Sequence, residues 1–436
     1  VRTEVATIVD RLLQSRSLPW LRIVDAADLD QPAEPAEAPA EVVEPYRWLL
    51  ERIGDGVRLT QAGYLPPALV TEAMVTLGWA QDWYGKHNRE DVTRPILLLR
   101  ESAQRFGLLR KSRGQLLVTK AGRALIENPA ELWWHLADRL PDARQEPERD
   151  AGVLYLLTVA AGQAEDDALL AQGMTILGWA SGETGRQLSP TSAFVAARDT
   201  WAVFDRLGLL PKHGRWQHRP PTPQARTLAR AALLGRDDAA PATRPADPRP
   251  ATTNTEPAVQ LLVRLQEIEP AIWRRLVVPQ SLTLGELHGV IQTAMGWQNH
   301  HLHLFEIAGI SYGDVEDMDG PLGDEKTVTV GEAAAAATEF SYDYDFGDGW
   351  SHDIRVEGVG SSAARVIDGA RACPPEDCGG PWGYQRLLEV LADPTHEEHA
   401  DLLEWLGKPF DPEAFDLAET NANLQLYDRH IRRNGR

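Results

Sequence analysis

Phe340-Ser341-Tyr342-Asp343-Tyr344-Asp345-Phe346-Gly347-Asp348-Gly349-Trp350-Ser351-His352-Asp353-Ile354-Arg355-Val356 reads as strand, turn, strand. Aromatic and β-branched residues punctuate Phe340–Asp345 and His352–Val356, a composition suited to a pleated, half-buried surface. Gly347 and Gly349 let the backbone bend tightly between them, with Asp345, Asp348 and His352 around the bend. The stretch therefore marks a sheet and a candidate site together.

Working outward, Val259–Leu265 and Ile272–Val278 read as two more strands, the second closed by Pro279. Thr283 caps a helix over Leu284–Met295, with Leu284, Leu287, His288 and Ile291 at helical spacing and Gly296 as its stop. His303–Ile307 and Thr327–Val330 read as strands, and Tyr384–Leu391 and Glu397–Leu406 as helices. The order predicts an α+β domain over residues 258–436, a β-grasp-like packing of sheet and helix.

Residues 236–257 hold five prolines and no large apolar side chain, and read as a linker. Before them an internal repeat stands out. Met74-Val75-Thr76-Leu77-Gly78-Trp79-Ala80 recurs as Met174-Thr175-Ile176-Leu177-Gly178-Trp179-Ala180, and Arg105-Phe106-Gly107-Leu108-Leu109 as Arg206-Leu207-Gly208-Leu209-Leu210. Thr119, before Gly122-Arg123-Ala124-Leu125, has a looser echo in Thr222. This predicts a mainly helical N-terminal region with two repeats, 46–147 and 148–235, after an N-terminal segment and linker over 1–45. Equivalent tryptophans, Trp79 and Trp179, are expected in core positions.

Each repeat runs helix, Gly stop, short strand, turn, strand, helix, and resembles a winged-helix unit. The tip of the first hairpin carries Arg110, Lys111 and Arg113, which could touch phosphate. Charge decides where nucleic acid is allowed. Residues 251–436 carry 13 Lys+Arg against 32 Asp+Glu, while residues 1–250 carry 31 against 32. So acidic a C-terminal part repels a phosphate backbone, leaving DNA only to the N-terminal repeats. Two cysteines in 436 residues argue for a reducing compartment, and no apolar run reaches the ~18 residues of a membrane span. A soluble cytoplasmic protein without a membrane partner is the expectation.

Ile272-Trp273-Arg274-Arg275, Leu284-Gly285-Glu286-Leu287-His288, Met295-Gly296-Trp297, His301–Phe305, Tyr344–Asp348, Trp350, His352 and Cys373-Pro374-Pro375-Glu376-Asp377-Cys378-Gly379-Gly380 carry a further resemblance. From about Val259 to Asn423 the chain resembles the Ri-plasmid third-open-reading-frame-like family, also labelled a transposon passenger of TnpR type. That resemblance implies a compact α+β domain and an association with mobile elements, and no catalysed reaction.

The candidate site draws on three stretches, Trp297-Gln298-Asn299-His300-His301-Leu302-His303, the Asp345–His352 turn and the Cys373–Gly380 loop. On a strand starting at His301, the pleat puts His301, His303 and Phe305 on one face. His301, His303, Asp345, Asp348, His352 and Glu376 are candidate ligands, and histidine mixed with carboxylates suits Zn, Mn or Fe. Trp297, Tyr344, Trp350 and Asp377 are candidate ligand-binding residues around them. No Gly-x-Ser-x-Gly elbow, Walker loop or Gly-x-Gly-x-x-Gly is present, and His396-Glu397-Glu398-His399 lacks the zincin order. Two functions remain: a binding or regulatory protein taking a protein or small ligand at its acidic domain, or a metal-dependent enzyme, a hydrolase, using the same residues.

Because the 236–257 segment has too little apolar surface to pack, limited proteolysis should cut between Arg236 and Pro257 and release a folded fragment ending at Arg436. Cuts inside 259–423, with this segment resistant, would contradict the division.

Overall fold

In the computed structural model α1 (Thr3–Gln14), α2 (Leu18–Ala27), α3 (Pro39–Val42) and α4 (Glu44–Ile53) come first. The structure describes all residues except 16, 31–38, 82, 84–85, 164–165, 181–187, 211–219, 237–255, 300, 315–321, 362, 407–408 and 435–436. Most of the 236–257 linker and the hairpin expected in the second repeat thus lie outside the described residues. The last part of the expected 1–45 segment and linker is helical, with proline in the first turn of α4, where its fixed φ and missing N–H are tolerated.

β1 (Val57–Arg58), α5 (Pro67–Thr76), α6 (Arg94–Arg105), β2 (Leu109–Ser112) and β3 (Gln115–Val118) follow, then α7 (Lys120–Ile126) and α8 (Pro129–Arg139). The strands form an antiparallel sheet in the order β1-β3-β2. Arg113 and Gly114 make its two-residue turn, both at positive φ (48° and 77°), as the twist of a tight hairpin requires.

α9 (Glu146–Ala160), α10 (Asp167–Ile176), α11 (Pro190–Arg206) and α12 (Pro223–Leu234) come next. The repeated motifs make the same bonds. Leu77, Gly78 and Trp79 donate their amides to Ala73, Val75 and Met74, as Leu177, Gly178 and Trp179 do to Gly173, Thr175 and Met174. Gly78 and Gly178 end their helices at φ 72° and 82°, where any other residue is strained. Thr119 and Thr222 cap the following helices through Gly122 N and Ala225 N. The tryptophans after each stop are half-buried rather than core. They emerge beyond a helix end, Trp179 donating to Asp150 at 2.9 Å and Trp79 lying under the Arg206 guanidinium at 5.6 Å. The core helix is α9, buried all along Ala151–Ala160 with α10, α11 and α12 packed on it.

The chain divides into two units, Val1–Ser15 with Ile23–Arg244, and Arg16–Arg22 with Pro245–Arg436. The second contains β4 (Pro257–Leu265), β5 (Trp273–Pro279), α13 (Leu284–Met295), β6 (His303–Ile307), β7 (Ile310–Gly313), β8 (Gly323–Asp324), α14 (Val330–Ala336), β9 (Glu339–Tyr344), β10 (Trp350–Ser361), β11 (Arg365–Ala370), α15 (Gly380–Ala392), α16 (His399–Leu406) and α17 (Leu417–Asn434). Its sheet runs β11-β5-β4-β10-β9-β6-β7-β8, antiparallel except for β7 beside β8. Val259, Leu261, Val263 and Leu265 of β4 and Phe340, Tyr342 and Tyr344 of β9 alternate into the core. α13 packs on β5 and is covered in turn by α17. Asn421 of α17 bonds both the N–H and the C=O of Val366, closing part of the β11 edge.

Two further sequence readings change. Thr327–Val330 is not a strand. Thr329 and Glu332 form a capping box that starts α14 at Val330, and these local bonds outweigh the β-propensity of the Thr/Val run. β6 begins at His303, so His301 lies before the strand and does not share its pleat.

Gly289 of α13 faces α17 so closely that a Cβ there would overlap the Tyr427 hydroxyl. Helix propensity favours Ala over Gly by about 1 kcal/mol, whereas overpacking costs about 1–3 kcal/mol. Gly289→Ala should therefore lower the urea midpoint of the second unit's unfolding, and a raised midpoint would show that α17 yields freely.

Candidate functional site

α13 opens with the Thr283–Glu286 capping box and ends at Gly296, φ 93°. The chain then enters the core with Trp297, whose ring stacks on Tyr344 at 5.0 Å and whose Nε1 donates to Pro374 O at 2.9 Å. Gln298 N and the Tyr344 hydroxyl both donate to Glu376 Oε1, at 3.1 and 2.6 Å. Aromatic stacking and one shared carboxylate oxygen thus pin the α13 exit and the end of β9 to the loop over Cys373–Gly380.

At this junction His301 Nε2 lies 3.5 Å from Asp345 Oδ2 and 3.3 Å from Asp377 Oδ1. The three ligand atoms fall within 4.8 Å of one another, the spacing of a metal-ion set. The turn itself aims Asp345. Its backbone is at φ 56°, Oδ1 accepts from Gly347 N (3.0 Å) and Asp348 N (3.3 Å), and Oδ2 is left toward the histidine. Asp377, also at positive φ (58°), has a side chain 69% exposed, so the cluster opens to solvent. The buried His301 Nε2 makes no hydrogen bond. Among the described residues neither Asp345 nor Asp377 pairs with Lys or Arg.

The other predicted ligands are not in this cluster. Asp348 accepts from Gly379 N at 3.0 Å, an approach so tight that a Cβ on Gly380 would overlap the Asp348 carbonyl. His303 Nε2 is bound to Glu325 at 2.6 Å, and its ring stacks on His288 at 3.5 Å and 6°. His288 in turn bonds the Tyr342 hydroxyl (2.8 Å) and Asn299, and Gln292 bonds the same hydroxyl (2.9 Å). His352, on the inner face of β10, is wholly buried, with Nδ1 3.1 Å from Tyr342 O and its ring edge-on to Trp297. Glu376 is occupied as described. Trp297, Tyr344 and Trp350 are buried beneath the loops and form their apolar floor, not a surface a ligand meets directly.

Glu325 and the His288 network have no sequence signature. Glu325 follows an acidic loop, and His288 sits at core spacing in a helix, so only tertiary packing brings them to His303. Cys373 and Cys378 are free thiols, both pushed up to about 12 by burial, and so are protonated and poor nucleophiles near neutral pH. In the first unit Arg110 and Arg113 are exposed, while Lys111 Nζ donates to Gly63 O at 3.0 Å. Arg58 on β1 is exposed too, and Arg58 and Arg110 share the outer face of the small sheet by register.

Residues 257–419, which hold the whole cluster, match the model of the plasmid pRiA4b ORF-3-like protein family. The uncharacterized protein y4hQ of Sinorhizobium fredii (strain NBRC 101917 / NGR234) is 44% identical over 172 residues, 37% of this chain and 88% of that protein. The chain belongs to the plasmid pRiA4b ORF-3-like family. The crystal structure of MM3350, a protein of unknown function from Methanosarcina mazei Go1, is 38% identical, covering 38% of this chain and 97% of that one at a TM-score of 0.35. Residues 1–256 lie outside the family match. No helix among the described residues is long and apolar enough to cross a membrane.

Burial pushes the His352 imidazole down to about 4 from 6.5. Between those values the unfolded chain binds a proton that the folded chain refuses, so stability falls as pH drops through this window and levels off below it. The loss is about 3 kcal/mol in all. His352→Gln should flatten this part of a urea-midpoint-against-pH curve, and an unchanged slope would show that His352 titrates normally.

Proposed function

We propose that the protein is a cytoplasmic binding or regulatory protein, linked to mobile elements through its family, which takes a cationic ligand at His301, Asp345 and Asp377. One observation carries this reading: among the described residues, two carboxylates without a Lys or Arg partner flank an imidazole nitrogen that has no hydrogen bond. Such groups are costly to hold together unless something positive joins them. Leu302 and Phe346, exposed large apolar side chains, belong to the segments that carry His301 and Asp345 and suit contact with a further molecule.

The first unit fits a docking role. The helix, strand, helix, helix, strand, strand order of its first repeat, with the β1-β3-β2 sheet, supports a winged-helix-like module there. α6, the helix that would enter a DNA groove, packs against α11 and fully exposes only Arg94. Phosphate contact through Arg58, Arg110 and Arg113 is favoured over base reading. The second reading, a metal-dependent hydrolase, rests on the room that three protein ligands leave for a water.

A thermal-shift panel of Zn2+, Mn2+, Ca2+, Mg2+, spermidine and an oligolysine peptide tests the binding reading on the full chain. At least one cation should raise the melting temperature, and Asp345→Asn with Asp377→Asn should abolish the rise. A panel without effect ends the reading.

A further inference from the structure

We infer that the His301–Asp345–Asp377 cluster is a surface site for one divalent transition cation, of the Zn, Mn or Fe class rather than Mg or Ca. This rests on the cation-binding reading above and names its ligand. The spacing comes first. Metal–ligand bonds of about 2.0–2.2 Å at tetrahedral angles set neighbouring ligand atoms about 3.4 Å apart. The observed separations from His301 Nε2 are 3.3 and 3.5 Å.

His301 makes no ordinary hydrogen-bonded pair with either aspartate, although both lie within ion-pair distance. In such a pair the ring N–H points at one oxygen, as Nε2 of His303 does toward Glu325 at 2.6 Å. His301 Nε2 instead lies between two carboxylate oxygens without a hydrogen bond to either, although the atom is buried. A lone pair directed at an ion between the three groups accounts for that.

The donor set selects the cation. Two carboxylates balance a double positive charge, and the imidazole nitrogen favours borderline metals over the hard oxygen-seeking Ca2+ and Mg2+. Asp345 is held by the Gly347 and Asp348 amides through its other oxygen, an outer contact that fixes the ligating one. With Asp377 exposed and three protein donors among the described residues, a coordination position faces solvent and can take a donor from another molecule.

Titration calorimetry of the full-length protein with ZnCl2 and MnCl2 tests the inference. One equivalent should bind, and His301→Ala and Asp377→Asn should each weaken it by at least about tenfold, as loss of a supporting contact alone can do. An unchanged urea midpoint verifies that both variants fold. X-ray absorption of the Zn2+ form should show nitrogen and oxygen donors with one imidazole. Sulfur scattering, or binding undiminished in both variants, would overturn the site. If Ca2+, spermidine or oligolysine binds through the carboxylates while Zn2+ and Mn2+ do not, the transition-metal inference falls and the binding reading stands. If no cation binds, both fall.

Discussion

A buried guanidinium holds the second unit in register. Arg274 is 3% exposed and donates to Ala294 O at 2.9 Å and to the carbonyls of Trp273, Ala370 and Arg371 at 2.8 Å each. Burial lowers its pKa, the mark of an incompletely solvated cation, and the Phe415 ring lies 4.3 Å away. Removing a cation from water costs several kcal/mol, which only a full set of charge-assisted hydrogen bonds offsets. Those bonds reach the last turn of α13 and the end of β11 together. The segments leaving these points carry His301 and Asp377, so one planar side chain sets the origin of both. Lysine, with a single ammonium, could not span these acceptors.

In the first unit the equivalent constraint is a repeated set of local bonds. Each repeat ends its α5- or α10-type helix with the same glycine stop and starts the helix after its hairpin position with a threonine cap. The two copies pack α6 against α11, and Arg105 bonds Asp142 at 2.7 Å while lying 3.8 Å from Asp199. A repeat that buries its central helix against its sibling gains core at the cost of that helix's free surface. What stays exposed is the small sheet's outer face, and there the basic residues stand.

Much of this was legible in the chain. The period-two burial of β4 and β9, the Thr283 cap, the Gly296 stop and the repeated Met-x-x-Leu-Gly-Trp motif are local signals, and local bonds enforce them. Thr329 was misread because Thr and Val favour strands while Thr-x-x-Glu favours a helix start, and the second effect makes hydrogen bonds at once. The three chemical stretches could be singled out by composition. Which of their side chains meet could not.

That division has a physical cause. Caps, stops, turns and alternation depend on neighbours within a few residues, so the sequence alone determined many of the elements, the acidic balance of the second unit and the family. Partnership between side chains depends on register and on where loops leave the sheet. β9 pairs with β6 so that His303 lies opposite Tyr344, which turns His303 inward to Glu325 and leaves His301 outside the strand. The loop over Cys373–Gly380 is held by Trp297 and Glu376 so that Asp377, not Glu376, reaches His301. Only the tertiary structure could decide this, because buried polar groups take whichever partner the packed backbone brings within hydrogen-bond distance.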